Sequence, residues 1–164
     1  MKNILFLLLG FISTTCHAQS ASLDWVKTYG GPLTENGKII KIDSDDNLFI
    51  VGNFMGTVDF DPGPGVENKT SIGGNDVYIL KLDSAGNFLW VRAFGNTAND
   101  IVEKAQVDKS NNIILTGRFS NSLDFDPGVN IDLKTSNGFS DIYILKLDNL
   151  GNYIWAKTIG GTGN

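Results

Sequence analysis

Two acidic residues bracket a phenylalanine in "VDFDPG", Val58 to Gly63, and the same arrangement returns as "LDFDPG", Leu123 to Gly128. Asp59 and Asp61 are two apart, so on an extended chain both carboxylates face one way, and Pro62-Gly63 turns the backbone just beyond them. Asp124 and Asp126 repeat the pair. Hard oxygens in that pattern suit calcium, which takes about six to eight oxygen ligands. The competing reading is a turn in which the aspartates cap backbone amides and Phe60 plugs the sheet beside it. Asp43, Asp45 and Asn47 in "DSDDN" have the odd-position spacing that opens an EF-hand loop, but Leu48 stands where the sharp-turn glycine belongs and Phe54 where the bidentate glutamate belongs. The second copy, Asp108, Ser110 and Asn112, departs further, so a solvated hairpin turn accounts for both.

Other chemistry is excluded by what the chain lacks. It has one cysteine, Cys16, and one histidine, His17, both near the N-terminus. Met1-Lys2-Asn3 followed by "ILFLLLGFI" and the small-residue exit at Ala18 reads as a signal peptide over residues 1–18, with Cys16 as a rival lipid-anchor site. Cleavage there leaves no disulfide, no Cys or His zinc site, no imidazole base and no transmembrane segment. The expected location is secreted, extracellular or at the cell surface. Without Lys2 the chain carries 12 basic and 18 acidic residues, a net charge of about −6, which argues against nucleic acid as a partner. Paired carboxylates alone serve glycoside hydrolysis, but these recur at the same place in each repeat, and catalysis calls for one asymmetric constellation. Asn68-Lys69-Thr70 and Asp83-Ser84-Ala85 match short glycosylation signals that three residues satisfy by chance.

The elements that hold these residues are set by a repeat. "DFDPG" recurs after 65 residues (123 minus 58), Trp25, Trp90 and Trp155 keep that offset, and "YILKLD" recurs letter for letter from Tyr78 and from Tyr143. Residues 25–89 laid on 90–154 without a gap give 25 identities in 65. Within one period, "KIIKID" and "NLFIVGNF" flank a Ser44-Asp45-Asp46 turn, and "DVYILKLD" and "NFLWVRAF" flank Ser84-Ala85-Gly86. That is four antiparallel strands. The third strand is apolar on both faces, which asks for cover on each side, as blades stacked around an axis provide. The surplus over a common blade length lies in the loop from Met55 to Asn75 that carries "VDFDPG".

The fold class expected is therefore all-β: a β-propeller fragment of two four-stranded antiparallel blades of 65 residues plus the start of a third. Residues 19–29 are expected to form an N-terminal closing strand, 30–94 blade 1, 95–159 blade 2, and 160–164 the start of blade 3. Further blades, or self-association, are needed to close the ring.

"KLDSAGNFLWVRAFG", "KLDNLGNYIWAKTIGG", "DNLFIVGNF" and "NNIILTGRF" resemble the bacterial seven-bladed β-propeller repeat (SBBP), over almost all of the chain after the signal. The "DFDPG" insertion resembles a version seen in secreted proteins of Bacteroidetes-type bacteria. The resemblance implies a propeller and supplies no catalytic residue. The "LDSAGNFLW" hairpin also resembles the quinoprotein dehydrogenase blade signature, although a turn role for Asp83, Gly86, Asp148 and Gly151 is sufficient. The expected function is a secreted or cell-surface, non-enzymatic binding or structural scaffold, the N-terminal part of a longer protein, with an unknown extracellular protein or glycan ligand and no cofactor unless calcium binds Asp59, Asp61, Asp124 and Asp126. The alternative is the propeller part of an extracellular hydrolase or lyase whose catalytic residues lie beyond residue 164.

Overall fold

A computed structural model describes residues 24–163. The expected signal peptide and residues 19–23 of the expected closing strand lie outside the described residues.

Each repeat folds into one antiparallel sheet. In the first, β1 (Glu35–Ile42), β2 (Leu48–Phe54), β5 (Asp76–Leu82) and β6 (Phe88–Phe94) lie in the order β1-β2-β5-β6. The second sheet holds β7 (Ile101–Val107), β8 (Ile113–Phe119), β11 (Asp141–Leu147) and β12 (Tyr153–Ile159), in the matching order β7-β8-β11-β12. The stretch read as a loop between the second and third strands is more ordered than its sequence suggests. It folds back as a hairpin, β3 (Thr57–Asp59) with β4 (Asn68–Thr70) in blade 1 and β9 (Ser122–Asp124) with β10 (Leu133–Thr135) in blade 2. Among the described residues there is no helix, and so none long and apolar enough to cross a membrane.

Turn chemistry sets the hairpins. Asp46 and Asn111 sit at φ of 60° and 61°, a left-handed region that Asp and Asn tolerate, and Gly86 and Gly151 take 77° and 78°. In each inner strand pair the register shifts, at Gly37/Ile39 and at Val102/Lys104. There Gly52 and Gly117 admit a carbonyl from the neighbouring strand, since a Cβ on either would come within 1.9 Å of the oxygen of Asn36 or Ile101.

The two blades stack face to face. Phe49, Val51, Val77 and Ile79 of blade 1 share one core with Leu115, Tyr143, Leu145 and Leu147 of blade 2. Burial of side chains of this size contributes about 1.5–3 kcal/mol each. The consequence is visible in the repeated string: every residue of β5 is buried, whereas in β11 burial alternates. The far face of blade 2, with Ile142 and Ile144, has no sheet against it among the described residues.

Residues 24–29, expected as part of a closing strand, have no ladder partner among the described residues; the nearest pairing is an isolated bridge from Gly30 to Asp59. They nevertheless sit on blade 1 as β6 sits on blade 2. Trp25 Nε1 donates to the Ser84 carbonyl at 3.1 Å, as Trp90 Nε1 donates to that of Asn149 at 3.1 Å. The two indoles lie over Gly86 and Gly151, where a Cβ would meet ring carbons at 3.1 Å in both copies.

Candidate functional site

At the tip of each extra hairpin the acidic pair works on its own backbone. Asp59 Oδ1 accepts from the amides of Asp61 (3.1 Å) and Glu67 (2.8 Å), and Asp61 Oδ1 from that of Gly63 (2.7 Å). Asp124 Oδ1 accepts from Asp126 (3.1 Å) and Asp132 (2.8 Å), and Asp126 Oδ1 from Gly128 (2.8 Å). Phe60 between them is fully buried and meets Phe54 edge-on, with centroids 5.4 Å apart; Phe125 meets Phe119 the same way at 5.1 Å. The structure thus brings Asp59 to Asp61 and Asp124 to Asp126, but the two pairs belong to different blades. Among the described residues no three His, Cys, Asp or Glu side chains gather as a metal-binding group.

The hairpin turns repeat one device four times. In Asp43, Asp83, Asp108 and Asp148, Oδ1 accepts from the amides two and four residues on, while Oδ2 accepts from the Asn side chain four residues on. Lys146 reaches Asp108 at 2.7 Å, and chiefly for that reason the Asp108 carboxyl titrates well below the usual range. In blade 1, Lys81 pairs with Asp43 at 2.9 Å with both side chains almost wholly buried (5% and 0% exposed). Burial opposes ionisation of Asp43, but the bonds from Lys81 and Asn47 outweigh it and lower its pKa. The carboxylates of the EF-hand-like spacing are therefore engaged locally, and Asp45 Oδ2 accepts from Asn111 Nδ2 across the blade junction at 3.0 Å.

A third acidic set was not legible as a site. Asp76, Asp100 and Asp141 are buried, each accepting a backbone amide on Oδ2, from Ile72, Asn96 and Asn137 respectively, and Asp141 Oδ2 also accepts from Asn137 Nδ2 at 3.4 Å. Their Oδ1 atoms are buried without a hydrogen-bond partner. Asn53 bridges two of these residues, its Nδ2 donating to the carbonyls of Asp100 (2.8 Å) and Asp76 (3.3 Å). Burial, with Asp76's charge as a lesser cause, pushes the Asp100 carboxyl up to about 6. Such a value suits an acid–base catalyst, but a catalytic carboxyl must reach its substrate, and Asp100 is 0% exposed. It is the main chain of Asp100 that joins the blades, its carbonyl accepting from Asn53 and its N–H donating to the Asn75 carbonyl at 2.7 Å.

The surface of blade 2 departs from that of blade 1 at one end. A cleft of about 490 Å³ opens at one end of blade 2, between Ala98 and Asn99 on one side and Phe139 and Ser140 on the other, over Arg118. In blade 1 the counterparts, 65 residues earlier, are Leu33, Thr34, Gly74, Asn75 and Asn53. There Leu33 lies over Gly56, its Cδ1 2.7 Å from where a Cβ would be. Arg118 replaces the buried Asn53, stays exposed and pairs with Glu103 at 2.9 Å. Sequence reasoning missed this cleft because most of its residues, Gly138 apart, are ones the repeat does not share.

No family model matches the chain. It is similar to "Uncharacterized WD repeat-containing protein L264" of Acanthamoeba polyphaga mimivirus, 27% identical over 171 residues. The match covers 87% of this chain and 12% of that protein's length. WD repeats form four-stranded propeller blades. The comparison and the two four-stranded sheets agree on an all-β, repeat-built, propeller-type fold.

Proposed function

We propose that the chain is an exported, non-enzymatic binding module of the SBBP kind, in which stacked blades hold a ligand-binding surface at one end. The observation that carries this reading is how the aspartates are used. The repeated aspartates cap their own backbone amides and leave no carboxylate pair set out as a catalytic constellation among the described residues. A WD-repeat relative supports a scaffold-type role, since propellers present loops on a rigid ring. The apolar segment Ile4 to Ile12 supports export.

Assaying the purified chain against chromogenic glycosides, esters and peptides tests the non-enzymatic reading. No turnover above that of an Asp61→Asn, Asp126→Asn double variant is expected; turnover that this variant loses would overturn it. Fusing residues 1–18 to a phosphatase active only outside the cytoplasm tests export, and an inactive, uncleaved fusion would refute that part.

A further inference from the structure

The extra hairpins of the two blades differ in what they offer to solvent. β10 is an edge strand, paired with β9 on one side only. On that side the Phe125 N–H donates to the Asp132 carbonyl at 3.1 Å, and the Ser136 N–H to the Asn121 carbonyl at 2.9 Å. Backbone groups alternate in direction along a strand, so the N–H and C=O of Leu133 and Thr135 point away from β9. Ile131 and Leu133 set apolar side chains beside this open edge, 78% and 61% exposed, and Val129 extends the stripe into the turn. The exposure does not depend on a further blade. β4 has the same burial pattern as β10, although blade 2 stacks against the sheet of blade 1.

The two edges carry different residues. Blade 1 has Pro64, Val66 and Asn68 where blade 2 has Val129, Ile131 and Leu133. Proline and a polar side chain blunt an edge against pairing, and blade 2 has neither there. We propose that β10 is a docking edge for a second copy of this chain, the two strands pairing antiparallel about a two-fold axis at Leu133. Each copy's Leu133 N–H then donates to the other's Leu133 carbonyl. Asp132 of each copy faces Lys134 of the other, and Ile131 faces Thr135. Within one copy Asp132 and Lys134 already pair at 2.6 Å, so the two copies bring together four alternating charges. Moving the axis to Asp132 or to Lys134 would set like charges face to face. An unrelated extended peptide could use the same backbone edge but would not call for this charge register, which singles out a second copy. The contact is small, so the dimer is weak, with a Kd on the order of 0.1–1 mM. The proposal goes beyond the reading as a binding module and does not depend on it.

Sedimentation equilibrium of the full chain, from about 10 µM to about 1 mM, is the experiment. A monomer–dimer equilibrium is expected. Leu133→Asn, which installs the residue blade 1 carries at that place, and Leu133→Pro, which removes an outward N–H, are each expected to weaken it by about tenfold or more at unchanged Tm. Asn68→Pro, the matched change in β4, is expected to leave it intact. Lys134→Glu and Asp132→Lys should each abolish self-association, and mixing the two variants should restore it, because only the mixed pair sets opposite charges face to face. A monomer at every concentration would sink the proposal. Self-association that Leu133→Pro leaves intact would overturn it in favour of the open blade faces, and no recovery on mixing would overturn the register. Binding of phosphatidylcholine vesicles by a monomer, lost in Leu133→Asn, would assign the stripe to a lipid surface instead.

Discussion

The hydroxyls of Tyr29 and Tyr78 share a hydrogen bond of 3.0 Å, and the second repeat lacks it because Phe94 stands where Tyr29 does. Tyr143, the counterpart of Tyr78, keeps its hydroxyl buried without a partner, edge-on to Phe94 at 5.8 Å. A buried, unpaired hydroxyl costs about 1–3 kcal/mol. Phe94→Tyr and Tyr143→Phe are therefore each expected to raise stability, by about 1 kcal/mol, whereas Tyr78→Phe lowers it by a similar amount. Urea denaturation of the three variants checks the signs. A destabilised Tyr143→Phe would show that the hydroxyl has a partner after all.

Lys81 and Lys146 occupy the same place in the repeat and pair with equivalent aspartates, but only the Lys81–Asp43 pair is sealed between blades. Lys81 also donates to the Asn149 carbonyl at 3.2 Å and lies over the Phe49 ring. Removing one member of a buried pair strands the other charge, so Lys81→Met is expected to cost about 3–5 kcal/mol. The half-buried Lys146–Asp108 pair loses about 1 kcal/mol or less in Lys146→Met. Equal losses in the two melting curves would refute the distinction.

Asp100 gives stability a pH dependence whose sign differs from that of the turn aspartates. Its folded pKa of about 6, raised by burial, exceeds the unfolded value of about 4. Its contribution is thus complete below about pH 4 and lost as pH rises through about 6, a change of roughly 3 kcal/mol by linkage. Asp43, Asp83 and Asp148 have lowered pKa values, so their contribution is present above about pH 4 and is lost on acidification. Asp100→Asn is expected to raise stability at neutral pH and to flatten the curve between about pH 4 and 6. A parallel, unflattened curve would contradict the assignment.

For the "DFDPG" tips, amide capping and calcium binding diverge in one measurement. Asp59→Ala removes an acceptor from two amides and is expected to cost about 2 kcal/mol, equally in chelator and in millimolar calcium. Native-state calcium binding would instead raise the wild-type Tm with added calcium and shrink the effect of the variant in chelator.

The four-stranded blade, the turn role of Gly86 and Gly151 and the burial of Phe60 were legible because each depends on residues within a few positions, repeated after 65. The hairpins β3–β4 and β9–β10 were not. Their strands are three residues long, and "NKT" and "LKT" carry no alternation to read. Two-sided burial of the third strand held for β5 and failed for β11, since cover depends on what stacks against the sheet and not on its letters. Asp100 escaped notice because Glu35 replaces it one repeat earlier, and its environment is made by Asn53 and Asp76 of the other blade.

The stacking of Phe49, Val51, Val77 and Ile79 on Tyr143, Leu145 and Leu147 has a bearing on how such a protein changes over generations. Both surfaces of the joint are encoded within a single 65-residue unit, because Tyr78, Leu80 and Leu82 are the same residues as Tyr143, Leu145 and Leu147. A tandem duplication of the gene segment therefore delivers a blade already able to sit on its parent. Array length can drift without redesign of the seam, leaving divergence free to act at blade ends such as the one holding Ala98 and Phe139.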